Sequence, residues 1–268
     1  MSAPRLLWRH WNSLARRLRK ERDRGLPAVF SDFDGTLSPI VSHPDQARLP
    51  ARTRRALERL ARLPGATVGI VSGRSMADLR RRIGLRGVHY IGSHGEEWAG
   101  LNGRPRLLAN ARALVRIRTV RRRLGKELAP LPGVLVERKT VSVAVHYRRA
   151  GPNAAAQARR VVLDALKKSR GALRLLEGKK VLELLPAGSR SKGHTVEALL
   201  ARRAWNGNGR RPLIYLGDDL TDESVFRRLR PGDIGVHVGT NLRSRAGYRV
   251  SSPAGVARFL ERLLEVLA

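Results

Sequence analysis

The sequence predicts an α/β fold, a parallel sheet flanked by helices, with a second, α+β domain inserted into it. Three observations carry this expectation. Short apolar runs ending in Gly or Asp recur along the chain, at "AVFSDFDG" (28–35), "ATVGIVSG" (66–73), "VHYIGSHG" (88–95), "PLIYLGDD" (212–219) and "DIGVHVG" (233–239). Helix-patterned stretches lie between them, among them "ARTRRALERLARL" (51–63) and "SMADLRRRI" (75–83). Strands apolar on both faces and alternating with helices form buried parallel sheets, whose functional residues gather where the strands end. The middle of the chain reads differently. "GVLVERKTVSVAVHYR" (133–148) alternates polar with apolar around a basic turn, as a sheet with one solvated face does. "NAAAQARRVVLDALKKS" (153–169) reads as a helix, and "ALRLLEGKKVLELLP" (172–186) as a strand pair broken at Glu177-Gly178.

The expected organisation is a core of residues 25–100 and 187–268, an inserted domain over 101–186, and a basic N-terminal helix over 1–24. In that helix Leu6, Leu7, Trp11, Leu14 and Leu18 fall near one face, Trp8 lies off the stripe, and eight Lys/Arg stand against two acids. Packing of the stripe onto the body of the protein is the expectation.

The chain has 268 residues, 42% of them hydrophobic and 28% charged, ample for a buried core. It has no cysteine, which excludes disulfides and thiolate metal sites and favours a cytoplasmic setting. No apolar run reaches the roughly 20 residues that cross a bilayer, and the basic N-terminus lacks the apolar core of a signal peptide. The formal net charge of +32 predicts salt-dependent attraction to phosphate-bearing and anionic partners. With 4% aromatics and no interleaving of basic and aromatic residues, it points to a solvated surface and to no specific nucleic acid.

Against 54 Lys+Arg the chain carries only 22 Asp+Glu, yet "FSDFDGTLSPI" (30–40) sets Asp32 and Asp34 two residues apart at the end of an apolar run. Two carboxylates in one pocket repel, and one is driven to titrate high. A bound Mg2+ resolves the repulsion, since hard oxygen ligands suit it and it leaves room for a substrate phosphate. Gly35 and Thr36 offer N–H groups and a hydroxyl for phosphate oxygens. On spacing alone the stretch also fits a calcium-loop fragment or an Asx turn, although the downstream Gly and Glu of an EF-hand are absent. Three further pieces add to it: Ser72 in "IVSGRS" (70–75), Lys192 in "SRSKGHTVEALL" (189–200), and Asp218, Asp219 and Asp222 in "YLGDDLTDESVF" (215–226). Each has an ordinary alternative as a turn, a solvated lysine or an acidic helix start. Their joint occurrence, in this order and each at a strand end or helix start, is what points to phosphoryl chemistry.

The set Asp32-x-Asp34-Gly35-Thr36, Ser72, Lys192 and Gly217-Asp218-Asp219-x-x-Asp222 resembles the four motifs of the haloacid dehalogenase superfamily. With "GIVSGRS", "GSHGEE", "VERKTVSVAVHYR" and "GKKVLELLP", the chain is similar more narrowly to trehalose-6-phosphate phosphatases over about residues 27–250. The resemblance implies a Rossmann-like core and an inserted cap domain. It implies Asp32 as the nucleophile and Asp34 as acid and then base. Mg2+ would be held by the Asp32 carboxylate, the Asp34 backbone carbonyl and Asp218, with Asp219 and Asp222 in support. Ser72 and Lys192 would bind phosphoryl oxygens, and Gly35, Thr36, Gly73 and Arg74 would stand among the substrate-binding residues. His94 and Gly95 would face the pocket mouth, and Glu183, Arg138 and Lys179 of the cap would contact the sugar phosphate.

Glu183 stands in an apolar strand, where an unpaired carboxylate is costly, so an exposed face or a ligand contact is expected for it. The chain departs from the family at Leu185, where a basic residue often precedes the proline. The implied substrate is trehalose 6-phosphate. Glucosyl- or mannosyl-3-phosphoglycerate and sucrose phosphate are the alternatives with the same chemistry, and a non-catalytic polyanion-binding protein is the alternative of another class. The basic N-terminal segment suggests a tether to a partner, for which the synthase that supplies the substrate is the candidate.

Overall fold

The computed structural model describes residues 3–22, 25–101, 103–104, 106–201 and 211–268. The chain divides into two compact units, Met1–Arg106 with Arg190–Ala268, and Leu107–Ser189.

The first unit is built on a nine-stranded sheet. Its centre is β2 (Ala28–Asp32), with β3 (Thr67–Val71) and β4 (His89–Gly92) on one side and β11 (Leu213–Gly217), β12 (Ile234–Val238) and β13 (Tyr248–Val250) on the other, all parallel. β1 (Arg5–Leu6) extends the sheet beyond β13, and β5 (Glu97–Ala99) and β6 (Arg106–Leu107) extend it beyond β4. Successive strand residues supply opposite faces. Val29, Val68, Ile70, Ile214, Leu216 and Val236 pack against α1 (Trp11–Arg22), α2 (Ala51–Arg62), α3 (Met76–Ile83) and α8 (Pro253–Leu267). Ala28, Phe30, Val71, Leu213 and Tyr215 pack against α6 (Lys192–Leu200) and the short α7 (Glu223–Phe226). Within β3 a glycine stands at position 69 because the Phe30 ring fills the space a side chain would need. The expected parallel α/β core is the observed one.

The N-terminal segment is not a single helix. Arg5 and Leu6 pair in parallel with Tyr248 and Arg249, Leu7–His10 form a 3-10 turn, and only then does α1 begin. An open sheet edge offers extended chain a row of backbone partners that a frayed helix end lacks. Leu7, Trp11, Leu14 and Leu18 are buried within the core, as the stripe predicts, joined by Ala15, with Trp11 edge-on to Phe259 at 6.0 Å. Trp8, off the stripe, carries the Arg258 guanidinium 4.4 Å from its ring centre. Residues 1–2 and 23–24 of the expected helix lie outside the described residues.

The second unit is a four-stranded antiparallel sheet in the order β7 (Leu135–Arg138), β8 (Val143–His146), β10 (Val181–Pro186), β9 (Leu173–Gly178). One face is covered by α4 (Ala111–Leu128) and α5 (Pro152–Lys168), whose Ile117, Leu124, Ala158 and Val162 meet Val143, Val145, Leu182 and Leu184. The other face sets Glu137, Ala144 and Glu183 side by side in register. The break expected at Glu177-Gly178 falls two residues later. Those residues pair with Leu182 and Val181, and the turn is Lys179-Lys180, with Lys180 at φ +62°.

Candidate active site

The carboxyl ends of β2, β3 and β11 converge, and each delivers polar side chains as its apolar run stops. Asp32 is the last residue of β2, Ser72 follows β3, and Asp218 follows β11. Lys192 opens α6 behind a Ser191 cap. Its ammonium, 3% exposed, donates to Asp32 Oδ1 at 2.7 Å and to Asp222 Oδ1 at 2.9 Å. Asp222 Oδ1 also accepts from the Tyr215 hydroxyl at 2.7 Å, and Oδ2 accepts the backbone N–H groups of Asp218 and Asp219 at 3.1 and 3.2 Å. Asp222 is therefore saturated with donors and holds the lysine and the Asp218-Asp219 turn in place.

Oxygens of Asp32, Asp218 and Asp222 lie within 4.8 Å of one another. Such crowding is costly for buried charge, and the protonation tendencies show it. Burial drives the Asp32 carboxyl well above the carboxylate range; Lys192 opposes this, while Asp222, Asp218 and Asp219 reinforce it. Burial, with Asp219 and Asp222 beside it, pushes Asp218 up to about 7 against the pull of Lys192 and the Thr36 hydroxyl. Burial works against the Lys192 ammonium, but Asp222 and Asp32 outweigh it, so the lysine stays charged. Thr36 Oγ1 donates to Asp218 Oδ1 at 3.2 Å, and Gly35, at φ +84°, sits where any Cβ would run into the Asp218 carboxylate. Asp219 points its Oδ1 back to the Thr221 N–H and hydroxyl, both at 2.7 Å.

Asp34 has a different partner. Arg74 grips it as a fork, Nε to Oδ2 and Nη2 to Oδ1, both at 2.7 Å. Nη1 of the same guanidinium binds Asp78 at 2.6 Å, and Arg81 and Arg82 bind Asp78 as well. Arg74, expected among the substrate-binding residues, is bound to two carboxylates, because a planar fork matches a carboxylate bidentately. Ser72 is buried, and its Oγ accepts the Arg74 N–H at 3.1 Å. His94 stands at φ +57° with its ring against Gly73, where a Cβ would come within 2.5 Å of Cε1; Gly95 follows at φ +113°. All of these expected core residues are thus brought together by the first unit.

Glu183, Arg138 and Lys179 belong to the second unit. Glu183 is neither exposed nor alone: Lys139 Nζ donates to both of its oxygens at 3.1 and 3.0 Å, and Ser142 Oγ to Oε1 at 2.5 Å. A carboxylate taken out of water needs partners in place of the solvent, and here a buried lysine and a hydroxyl supply them. Arg138 ends β7 and Lys179 sits in the hairpin turn, both with exposed side chains. Leu185 is wholly buried. Sequence reasoning missed Lys139, Ser142 and Tyr215. A lone glutamate in an apolar strand does signal a buried cation, but the strand order that selects Lys139 is not a local property.

Residues 30–254 match the family model for trehalose-phosphatase. A trehalose-phosphate phosphatase of Mycobacterium avium (strain 104) is 40% identical over 250 residues, covering 90% of this chain; the chain spans 63% of that relative's length. The solved C-terminal domain of a C. albicans trehalose-6-phosphate phosphatase superposes with a TM-score of 0.82 at 25% identity, covering 98% of each chain. A haloacid dehalogenase-like hydrolase from Bacteroides thetaiotaomicron, 17% identical and covering 88% and 98% of the two chains, shares the fold at a TM-score of 0.65. With the motif residues assembled on this fold and the family model spanning all of them, the chain belongs to the trehalose-phosphatase family.

Proposed function

We propose that the chain is a Mg2+-dependent phosphatase that hydrolyses trehalose 6-phosphate to trehalose and phosphate through an aspartyl-phosphate on Asp32. The observation that carries the reading is Asp32 itself, at the end of the central strand, 2.7 Å from a buried lysine and within one group of three carboxylates. These residues fit a hard dication. Burial, reinforced by the neighbouring carboxylates, pushes Asp32 and Asp218 up, and the cluster's donors are all oxygens. Asp32, the Asp34 carbonyl and Asp218 would hold Mg2+, with Asp219 and Asp222 supporting. Bound there, the ion supplies the positive charge that keeps these carboxylates ionised and offsets the charge of the phosphate.

The chain's own groups do the rest. An Asp32 oxygen attacks phosphorus and the bond from phosphorus to the sugar oxygen breaks, while Asp34 gives that oxygen its proton. Water then attacks the aspartyl-phosphate, its proton passes to Asp34, and Asp32 and phosphate are released. To carry a proton, Asp34 gives up one arm of the Arg74 fork. Lys192 and Ser72 stabilise the phosphoryl oxygens as charge moves among them. Glu183, fixed by Lys139 and Ser142, reads sugar hydroxyls, with Arg138 and Lys179 in support. The setting proposed is cytoplasmic, in line with the absence of cysteine; no helix among the described residues is long and apolar enough to cross a membrane. Any association with the synthase would use the outer residues Arg16, Arg17, Arg19 and Lys20 of α1, since the inner face belongs to the core.

The test is phosphate release from trehalose 6-phosphate, sucrose 6-phosphate, glucosyl- and mannosyl-3-phosphoglycerate and p-nitrophenyl phosphate, with Mg2+, with EDTA and with Asp32→Asn. Strong preference for trehalose 6-phosphate, lost in EDTA and in the variant, is the expected result. Preference for another sugar would keep the core chemistry and reassign the cap. No Mg2+-dependent release from any of them would sink the proposal.

A further inference from the structure

Two adjacent carboxylates take no part in this chemistry and are nevertheless buried: Glu96 is 3% exposed and Glu97 6%. They follow a turn in which Ser93, His94 and Gly95 all have positive φ, at +48°, +57° and +113°. Two successive non-glycine residues in the left-handed region cost on the order of 1–3 kcal/mol each and persist only where the surroundings over-determine them.

The surroundings are specific. On one side the turn is fastened to the segment after β3: Ser93 N–H donates to the Arg74 carbonyl at 2.7 Å and His94 N–H to the Ser72 carbonyl at 3.0 Å. Glu97 completes this side, accepting the Ser93 hydroxyl at 3.2 Å on Oε1 and the N–H of Met76, first residue of α3, at 2.5 Å on Oε2. An anionic acceptor at a helix start gains from the helix dipole and from the charge-assisted bond. On the other side the turn is fastened to the approach to α6. Glu96 Oε1 accepts the Arg190 N–H at 2.6 Å, two residues before Lys192, and Thr195 Oγ1 donates to the Gly95 carbonyl at 3.0 Å. There is no slack in the fit: a Cβ on Gly95 would come within 2.5 Å of Thr195 Oγ1, and one on Gly92 within 2.8 Å of the Met76 nitrogen.

We infer that Glu97 and Glu96 form a two-armed brace that holds the Ser72–Arg74 loop and the Lys192 helix start at their working separation, making both glutamates positioning residues for phosphate binding. The inference rests on the phosphatase reading. Its consequence is that the two phosphate-binding groups, 120 positions apart in the chain, are set by one strained turn, and that loosening either arm misplaces one of them.

The test uses the full chain with Glu97→Ala, Glu97→Asp, Glu97→Gln and Glu96→Ala. Three readouts are taken: kcat/KM on trehalose 6-phosphate and on p-nitrophenyl phosphate, inhibition by orthovanadate, and amide hydrogen exchange. Misplacement by about 1 Å costs up to about 100-fold. The Ala and Asp variants are therefore expected to lose about 10- to 100-fold in kcat/KM by the same factor on both substrates, with orthovanadate inhibition weakened in step. Glu97→Gln, which keeps an acceptor for Met76 N–H, is expected to recover to within about threefold. Exchange is expected to quicken in residues 72–76 and 93–97 for the Glu97 variants, in 93–97 and 190–195 for Glu96→Ala, and nowhere in α4 or α5.

Unchanged kcat/KM and orthovanadate inhibition, despite faster exchange, would reduce the brace to a structural cap and overturn the inference. A loss confined to the sugar substrate would overturn it equally, as would unchanged exchange. If Glu97→Ala does not fold, the contrast between Asp and Gln carries the test. If the unaltered chain neither cleaves either phosphoester nor binds orthovanadate, the phosphatase reading is what fails, and exchange alone then decides whether the brace exists.

Discussion

Replacing Lys192 by Met keeps the length of the side chain and removes the one cation shared by Asp32 and Asp222, both of them buried with it. Breaking a buried ion pair by deleting one partner costs about 3–5 kcal/mol, because the surviving charge is left without solvent or counterion. Here two carboxylates are orphaned at once, so the upper half of that range is expected at pH 7 in EDTA. For a unit of this size the loss corresponds to a fall in Tm of about 8–20 °C. The variant should also respond to pH in a particular sense. Without the lysine, Asp32 rises further above its ordinary value, so the folded state binds a proton that the unfolded state releases near pH 4. Its deficit therefore shrinks as pH falls from 7 towards 4.

The assay is denaturant unfolding followed by tryptophan fluorescence, which reports the core: Trp8, Trp11 and Trp98 lie in the first unit, and residues 107–189 contain no tryptophan. Adding Asp222→Asn removes one of the two orphaned charges, so the double variant should be less destabilised than the sum of the singles, with a coupling of at least about 1 kcal/mol. A cost under about 1 kcal/mol for Lys192→Met, or additivity within about 0.5 kcal/mol, would refute the account of this cluster as buried, charged and held by one lysine.

Two further outcomes follow from the same geometry. Arg74→Lys keeps the charge but loses the fork on Asp34, and kcat is expected to fall about 10- to 100-fold in steady-state assays, with less change in KM; an unchanged kcat would mean the fork does not orient the acid. Asp78, against the effect of its own burial, is held down to about 2 by Arg82, Arg74 and Arg81. Its contribution to stability is thus fully present above about pH 4 and is lost as pH falls towards 2. Asp78→Asn should lower stability at pH 7 and flatten that acid limb, as read from unfolding at a series of pH values.

The core was legible in the sequence because its information is local. A buried parallel strand must be apolar on both faces, and where it ends the next residue can be polar, so Asp32, Ser72 and Asp218 announce themselves by position. Lys192 is legible for a similar reason, as a charge placed on a helix start behind a serine cap. What was not legible depends on partners far away in the chain. Arg74 meets Asp34 across 40 positions and Lys139 meets Glu183 across 44, and neither pairing has a local signature. The strand at Arg5–Leu6 exists only because β13 leaves an edge for it. At Lys179-Lys180 the turn was misplaced because Gly178, the obvious breaker, closes the ladder opposite Val181 while a lysine takes the positive φ.

The distribution of charge ties these observations together. The chain has 54 Lys+Arg and 22 Asp+Glu, yet among the described residues five acids are buried, Asp32, Glu96, Glu97, Glu183 and Asp222, against two of the Lys+Arg, Lys139 and Lys192. Both buried lysines are bound to buried acids. The five buried acids lie at the phosphoryl cluster, at the turn that fastens it, and in the sheet of the second unit. The net charge of +32 is therefore a property of the outer surface, governed by salt, whereas salt does not reach the buried carboxylates Asp32 and Asp222. Raising ionic strength from low to about 0.5 M should strip polyanions such as heparin from the protein and leave the Mg2+-dependent kcat within about twofold. If turnover instead fell in step with polyanion release, the basic surface would be part of the active machinery, and the separation of surface charge from site charge would be wrong.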